Sequence, residues 1–162
     1  MTFEEVRAYL TGLGLGDKVR QFDVSSATVE LAAQAVGCEP CRIAKTMSFL
    51  IDGAPALIVM AGDARVDNPK FKARFHQKAV MLAHDQVARL TGFPVGGVCP
   101  FLSPAPVYLD ESLRRFAVVY PAAGSPNSAV ELTLEELQAA SRAAGWVDVS
   151  RLPAAADAPS RA

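Results

Sequence analysis

The sequence IAKTMSFLIDGAPALIVMA, residues 43–61, predicts two strands joined by a tight turn. Ile43 to Ile51 has the composition of a first strand, and Asp52-Gly53 supplies a turn. Ala56 to Ala61 then forms a second strand. This second run is apolar on both faces, so we expect it to lie in the middle of a sheet.

Lys45 occupies an unusual position in the first of these strands. Side chains alternate between the two faces of a strand, and four large apolar residues share its face: Ile43, Met47, Phe49 and Ile51. An unpaired buried ammonium is costly, so this lysine must pair, lose its proton or open onto a cavity. Two interpretations stay open on the pattern alone: a lysine at the strand end that extends to water, or a cation at the mouth of a ligand pocket.

Helical and extended segments flank this hairpin without regular alternation. Helices are predicted over residues 3–15, 27–36, 84–90 and 133–144, with a short helix after Pro69. Strands are predicted over residues 80–82, 107–109, 116–120, 129–132 and 146–149. Ser26 is expected to cap the second helix, and Thr133 with Glu136 forms a capping box for the last. Hairpins with scattered helices predict an α+β fold around a mixed, largely antiparallel central sheet.

Length and charge narrow the class of protein. The chain has 162 residues, 16 Lys and Arg against 17 Asp and Glu, and a net charge of −1. We expect one domain over residues 1–150 and a flexible tail over 151–162. The composition excludes general disorder, and no apolar run approaches the roughly 20 residues of a membrane span. The near-neutral balance excludes nucleic-acid binding by bulk charge alone but leaves room for a local basic patch.

The three cysteines are Cys38, Cys41 and Cys99. Their odd number, with no signal peptide, indicates the reducing cytoplasm. Cys38 and Cys41 form a CxxC pair, but the pair follows a helix and precedes a strand, which is the reverse of the thioredoxin arrangement. A zinc site needs two more ligands, and His76 and His84 lack a paired motif. We interpret the pair as incidental thiols.

Two loops rich in glycine and proline follow. Gly96 to Pro100 is either a plain turn or a loop whose main chain approaches a ligand, since glycine has no Cβ. Gly124 to Ser128 lies between two predicted strands, where a turn is the default interpretation.

Six stretches, taken in order, resemble the YbaK / prolyl-tRNA synthetase editing-domain family. They are SATVELA (26–32), IAKT (43–46), AGDARVD (61–67), TGFPVGGVCPF (91–101), VYLDESL (107–113) and AGSPN (123–127). The resemblance covers roughly residues 26–150 and is carried by the ordered set rather than by one motif. It implies a partly barrel-like sheet surrounded by helices. It also implies a free-standing trans-editing enzyme that hydrolyses mischarged aminoacyl-tRNA, with Ala-tRNA(Pro) and Cys-tRNA(Pro) as expected substrates.

The resemblance also implies the site. The family's pocket lysine corresponds to Lys45, which is expected to be the catalytic residue. The residues expected to bind the substrate are Thr46, Gly96, Gly97, Val98, Cys99, Pro100, Gly124, Asn127 and Ser128. The family requires no metal or other cofactor, and the attacking water is assisted by the substrate's own ribose hydroxyl. Backbone N–H groups are suited to stabilise the resulting oxyanion.

A basic segment follows the hairpin. Its positive residues are Arg65, Lys70, Lys72, Arg74 and Lys78, and with the single acid Asp67 they give five positive charges against one negative. One interpretation is a solvated helix face, and the other is a track for tRNA phosphates. The family resemblance implies the partners, which are aminoacyl-tRNA, of the tRNA(Pro) kind, and transiently prolyl-tRNA synthetase. No DNA or membrane partner is expected.

One alternative function stays open. The attacking water leaves no residue signature, so the same pocket also suits a non-catalytic module that binds aminoacyl-tRNA or another nucleotide. A test of ester hydrolysis distinguishes the two.

Overall fold

The computed structural model describes residues 1–154 and gives them an α+β fold. Within this range the helices are α1 (Phe3–Gly12), α2 (Val29–Val36), α3 (Asn68–Phe75), α4 (His84–Thr91) and α5 (Leu134–Ser141). The strands are β1 (Val19–Gln21), β2 (Ile43–Ile51), β3 (Ala54–Ala61), β4 (Arg65–Val66), β5 (Val107–Asp110), β6 (Val118–Pro121), β7 (Ser128–Val130), β8 (Leu132–Thr133), β9 (Gly145–Val147) and β10 (Ser150–Arg151).

The central sheet has six strands in the order β8-β6-β2-β3-β5-β9 and is curled into a half-barrel. Its longest pairing is the antiparallel β2–β3 hairpin, in which Lys45 lies opposite Met60. The pairs β2–β6, β3–β5 and β5–β9 are parallel, whereas β6–β8 is antiparallel. The predicted α+β class and mixed, partly barrel-like sheet are confirmed, with the antiparallel share carried mainly by this hairpin.

The predicted place of β3 in the middle of the sheet is also confirmed. Its residues from Ala56 to Ala61 are all buried, because strands cover both edges and helices cover the faces. Three aromatic side chains pack in a row beside β3. The ring centroids of Phe49 and Phe71 are separated by 5.2 Å and those of Phe71 and Phe75 by 4.9 Å. α3 is thereby fixed against the hairpin.

Helix caps explain where the helices begin. Thr133 and Glu136 form the predicted capping box of α5. The predicted cap of α2 at Ser26 is wrong, because the Thr28 hydroxyl accepts from the Leu31 N–H and α2 starts at Val29. Residues 26–28 consequently lie before the helix, and Ser26 N donates to Pro126 O at 2.7 Å.

The chain before β2 is hydrogen-bonded to the chain between β6 and β8. β1 pairs antiparallel with β7. Phe22 N donates to Asn127 O at 2.8 Å, and the Asn127 Nδ2 donates to Phe22 O at 3.0 Å. These bonds join the segment 22–28 to the loop 124–128.

Three strand assignments differ from the prediction. Residues 80–82 form an isolated bridge, Phe49 with Met81, instead of a strand. The predicted strand over 146–149 is observed as β9, which pairs with β5 and ends at Val147, whereas β10 begins only at Ser150 and pairs with β4. The predicted strand over 129–132 divides at Glu131 into β7 and β8, which pair with different strands.

The predicted C-terminal tail, residues 151–162, begins inside the described range, which ends at residue 154. Arg151 pairs with Arg65 in β10, so strand pairing continues one residue past the predicted boundary. Residues 155–162 lie outside the described residues.

Among residues 1–154, no helix combines the length and apolar character needed to cross a bilayer.

Candidate functional site

Lys45 lies on β2 and is half-buried at the wall of a pocket. Its Nζ donates to the carbonyl oxygen of Ala64 at 2.6 Å and to that of Gly62 at 3.2 Å. An ammonium has three N–H donors. Two of them have main-chain acceptors, so one donor is left for a ligand.

The two carbonyls belong to a tight turn, residues 61–64, that follows β3. Ala64 N donates to Ala61 O at 2.9 Å and closes the turn. Gly62 has no space for a side chain, because a Cβ there would lie 2.1 Å from Pro40 O and 2.8 Å from Val29 Cγ1. The turn is therefore held against α2 and the segment before β2.

The pocket has a volume of about 210 Å³. Five of the residues predicted as site residues line it together: Lys45, Thr46, Gly96, Val98 and Ser128. The structure therefore brings β2, the glycine loop and β7 to one cavity, although these residues are far apart in sequence.

Gly96 is the point where the glycine loop approaches the rest of the wall. Its φ is +83°, a conformation that favours glycine. A Cβ at this position would lie 2.9 Å from the Cβ of Ala27, which lines the same pocket. A side chain here would both strain the main chain and narrow the cavity.

The other predicted site residues lie apart from the pocket wall. Cys99 is 0% exposed and its thiol contacts Phe101 O at 3.8 Å. Pro100 is buried beside it. Gly97 is buried where a Cβ would meet the main chain of Ser125 at 3.0 Å. These residues shape the loop behind the wall.

The second loop divides in the same way. Gly124 packs against α1, with Val6 Cγ2 at 2.9 Å from a Cβ placed there. Asn127 uses its side chain to bind Phe22 O and to accept from the Ser125 hydroxyl at 2.8 Å. Ser128 alone of the three lines the pocket, and its hydroxyl donates to Ser125 O at 3.1 Å.

Sequence reasoning missed a large part of the wall. Residues 26–29, Ala32, Ile43, Ala44, Tyr120, Ala122 and Ala129 also line it. The stretches 26–32 and 43–46 were among those that carried the family resemblance, which is the one signal that could have pointed to residues 26–29, Ala32, Ile43 and Ala44. Tyr120 carried no such signal, because its position depends on the parallel pairing of Ile43 with Tyr120 across β2 and β6.

Burial and nearby charges tune the ionisable groups of the wall. Burial lowers the pKa of the Lys45 ammonium, and Asp63 and Glu30 oppose this while Arg65 adds to it. Burial also raises the pKa of the Tyr120 phenol. The Tyr120 hydroxyl donates to Glu131 at 3.2 Å, so its ring is held in place by a carboxylate.

Thr46 leaves a polar atom unused. Its Oγ1 is buried and finds no hydrogen-bond partner within the described chain. A buried hydroxyl without a partner carries an energetic cost of about 1–3 kcal/mol.

The basic segment runs along β4 and α3. Arg65 follows directly after Ala64, and Lys72, Arg74 and Lys78 are exposed. Arg74 lies over the Tyr108 ring at 5.6 Å. Lys70 is exposed as well but is tied to Asp148 at 3.1 Å and to Ser150 O at 2.8 Å. The segment begins one residue from the carbonyl that binds Lys45.

The CxxC thiols lie near each other beside the pocket. Burial raises the pKa of both Cys38 and Cys41, which keeps them protonated at neutral pH. Within residues 1–154 no group of three or more His, Cys, Asp or Glu side chains is placed to hold a metal ion.

The chemistry of the pocket follows from its polar groups. The wall formed by the described residues holds one ammonium, the hydroxyls of Ser26, Thr28, Thr46, Tyr120 and Ser128, and no His, Cys, Asp or Glu. It therefore offers a cation with one remaining donor among hydroxyl groups that mostly bind the protein itself, and it does not offer a nucleophile activated by a histidine and a carboxylate.

Comparison with known proteins gives consistent matches. Residues 23–140 match the family model described as "Aminoacyl-tRNA editing domain". The Bacillus subtilis (strain 168) protein YwhH, described as uncharacterized, is 47% identical over 154 residues, covering 93% of this chain and 98% of YwhH. A proline–tRNA ligase of Desulfovibrio desulfuricans is 33% identical over 88 residues, covering 54% of this chain and 15% of the ligase.

A solved structure shows the same fold. The crystal structure of a candidate trans-editing enzyme for prolyl-tRNA synthetase superposes with a TM-score of 0.80 at 32% identity, covering 92% of this chain and 96% of that chain. The range matched by the family model, 23–140, contains the whole pocket wall and the basic segment.

Proposed function

Because the chain belongs to the aminoacyl-tRNA editing domain family, we propose that it hydrolyses the ester bond of mischarged aminoacyl-tRNA. The first substrates to test are Ala-tRNA(Pro) and Cys-tRNA(Pro). Water adds to the ester carbonyl, the bond to the ribose oxygen breaks, and the free amino acid and the tRNA are released. The observation that carries the proposal is an ammonium, held by two carbonyls, at the wall of a cavity of about 210 Å³.

Lys45 is assigned the role of positioning the substrate. Its free N–H is directed by the two carbonyl bonds, and its charge is suited to the 3′-terminal phosphate or the ribose of the acylated adenosine. Positioning of a reacting group in this way supplies a large part of many enzymatic rate enhancements. Lys45 is accordingly the residue whose loss should affect the rate most.

Gly96 and Val98 are assigned to the aminoacyl group. Gly96 presents bare main chain to the cavity because no Cβ intervenes. Val98, Val29 and Ala32 offer apolar surface that suits a short side chain. A synthetase distinguishes amino acids that differ by one methylene by only about 1–3 kcal/mol, which is the need that an editing pocket meets.

The attacking water is assigned to the substrate's side of the cavity. The described wall provides no histidine or carboxylate as a base, so the ribose hydroxyl next to the ester is the nearest group that can assist the water.

The basic segment is assigned to the tRNA backbone. Arg65 adjoins the turn that holds Lys45, and Lys72, Arg74 and Lys78 continue along exposed surface. An acceptor stem entering with its 3′ end in the pocket would pass positive charge, which favours phosphate binding. The relative described as a proline–tRNA ligase and the candidate trans-editing structure support tRNA(Pro) as the tRNA to test first.

A panel of charged tRNAs tests the proposal. Ala-, Cys-, Ser- and Pro-tRNA(Pro), and Ala-tRNA(Ala), are each incubated with the purified protein, and the remaining ester is measured over time. We expect rapid loss of at least one mischarged tRNA(Pro) and no acceleration for Pro-tRNA(Pro). If no ester is lost faster than in buffer while a charged tRNA still binds, the chain is a binding module instead.

A further inference from the structure

The most buried ion pair in the described chain lies next to Lys45. Asp63 and Arg115 are joined by two bonds, Nη2 to Oδ1 at 2.6 Å and Nη1 to Oδ2 at 3.1 Å. Their side chains are 20% and 15% exposed, whereas both members of each other ion pair between described residues are 29% exposed or more. Such a bidentate, partly buried pair has a fixed geometry, unlike a typical surface pair.

Asp63 is the residue between the two carbonyls that bind Lys45. Gly62 O and Ala64 O accept from Nζ on one side of the turn, and the Asp63 carboxylate is held by Arg115 on the other. A rotation of the Asp63 main chain would change the direction of both neighbouring carbonyls. The ion pair therefore fixes the direction of the two carbonyls, and the carbonyls in turn orient the Lys45 ammonium.

Arg115 is itself anchored. It belongs to a 3₁₀ helix, Glu111–Arg115, and its Nε donates to Ser112 O at 3.0 Å. Ser112 reaches the same turn, since its hydroxyl accepts from Ala61 N at 3.0 Å. The helix thus binds the turn at Ala61 and at Asp63. Each of these residues directly precedes one of the two residues, Gly62 and Ala64, whose carbonyls bind Lys45.

We propose that Asp63 and Arg115 are positioning residues for the reaction: they hold the turn 61–64 so that its carbonyls aim the Lys45 ammonium into the pocket. This inference rests on the proposed function. Neither residue touches the cavity, so their contribution is made through Lys45. Losing the clamp is expected to lower kcat, because misplacing a positioned group by about 1 Å costs up to about 100-fold.

The test uses substitutions on both sides of the pair. Arg115→Met removes the clamp, Arg115→Lys keeps the charge without the two-point geometry, and Asp63→Asn removes the carboxylate charge at nearly constant size. Arg114→Met is the matched control, because Arg114 is the neighbour in sequence and also forms an ion pair, with Glu111 at 2.8 Å, but at an exposed surface.

Kinetics on the substrate identified in the tRNA panel give the first result. We expect Arg115→Met and Asp63→Asn to lower kcat by about 10- to 100-fold with little change in KM, Arg115→Lys to fall between, and Arg114→Met to match the wild type. Thermal melting fixes an assay temperature at which every variant is folded. Wild-type kcat in folded Arg115→Met would overturn the proposal.

A second readout does not need activity. The chain has five lysines, so Lys45 is readily assigned in ¹³Cε NMR spectra by comparison with Lys45→Met. We expect its titration midpoint to fall in Asp63→Asn, since an opposing negative charge is lost, and to rise in Arg115→Met, since Asp63 is no longer neutralised. Unchanged Lys45 titrations in both variants would overturn the positioning role.

The two readouts keep the inference separate from the proposed function. A wild-type protein that deacylates nothing in the panel contradicts the proposed function, while the NMR titrations still test whether the pair acts on Lys45. Activity in the wild type with normal kcat in all folded variants contradicts the inference alone.

Discussion

The Lys45 Nζ lies 2.6 Å from the carbonyl oxygen of Ala64, and no carboxylate of residues 1–154 is in direct contact with it. A carbonyl orients an ammonium but does not neutralise it, so the full positive charge remains for a ligand. The cost of burying that charge is visible in its lowered pKa. A buried cation of this kind is better suited to an incoming anion than to holding the fold together.

Loss of the lysine should remove activity without unfolding the protein. We expect Lys45→Ala to lower kcat/KM at least about 100-fold, because the positioning contact is lost. Stability should be kept, since the substitution removes a buried charge. Deacylation of the most reactive panel substrate measures the effect, and Lys18→Ala, at a lysine paired with Glu136 elsewhere, is the control. Near-normal activity in Lys45→Ala would remove this residue from the mechanism.

Filling the pocket at Gly96 should block the substrate. Gly96→Ala places a Cβ 2.9 Å from Ala27 Cβ and strains a φ of +83°, and Gly96→Val extends farther into the cavity. The matched control is Gly14→Ala, which has the same strain at φ +81° but no described atom within 4 Å of the new Cβ. The left-handed main chain should cost both alanine variants about 1–2 kcal/mol of stability, and Gly96→Ala should lose more because its Cβ also crowds Ala27.

Activity should separate the two glycines. We expect deacylation to fall strongly in the Gly96 variants and to remain normal in Gly14→Ala. Chemical denaturation measures the stability of both. Equal activity in all of them would mean that the loop does not face the substrate.

Activity should decline at alkaline pH. Burial lowers the pKa of Lys45, with Asp63, Glu30 and Arg65 as its charged neighbours, so the ammonium loses its proton at a lower pH than a free lysine does. The enzymatic rate, after subtraction of the uncatalysed rate at each pH, should fall as the pH rises through that lowered pKa. A rate that stays constant through the NMR titration of Lys45 would show that its charge is not used.

Stability should move in the opposite direction. Between the lowered pKa of folded Lys45 and the higher pKa of the unfolded chain, the unfolded state binds more protons, so stability rises with pH in this window. Cys38, Cys41 and Tyr120 have raised pKa values and contribute the opposite slope. Subtracting the unfolding free energy of Lys45→Met from that of the wild type cancels the contributions of these three groups. The difference should shift in favour of the wild type as the pH rises through the window. A constant difference would contradict the sign.

The basic segment should govern the salt dependence of tRNA binding. Lys72→Gln and Lys78→Gln, both at exposed residues, should weaken binding of charged tRNA and each reduce the slope of log K against log salt by about 1. Filter binding over a series of salt concentrations measures it. Arg7→Gln on α1 is the control, and an unchanged slope in the double variant would place the tRNA on another surface.

Cys99 should resist thiol reagents in the folded protein. Burial raises its pKa to about 12 and it is 0% exposed, so neither the thiolate nor access is available. We expect at most Cys38 and Cys41 to react with a disulfide reagent before unfolding, and Cys99 to react only in denaturant. Mass spectrometry identifies the modified residue. Fast labelling of Cys99 in the native protein, together with protection by a bound substrate, would contradict its burial and place its thiol at the pocket wall.

Local signals predicted most of the architecture. The turn at Asp52-Gly53, the wholly apolar β3 and the capping box at Thr133 each lie within a few residues and were sufficient for the mixed α+β fold. Lys45 was identified because a charge on an apolar face conflicts with strand alternation. These features depend on period and composition, which a single sequence carries.

Features that depend on distant pairing were not predictable. Asp63 and Arg115 are 52 residues apart, and neither is unusual in its local sequence. Tyr120 enters the wall only because β6 pairs parallel with β2. Cys99 shares a loop with Gly96 but is buried. Residues of a loop face the cavity or the core with no regular period, so a sequence pattern does not predict which side each one faces.

The bonds between Phe22 and Asn127 bear on how this pocket can diversify. They join two walls of the pocket, the segment 22–28 and the loop 124–128, into one rigid unit. Widening the pocket for a bulkier acyl group would therefore break contacts in both segments at once. Homologues that acquire new substrate ranges should therefore do so by exchanging side chains at positions such as Val29 or Val98, while the path of the backbone stays the same.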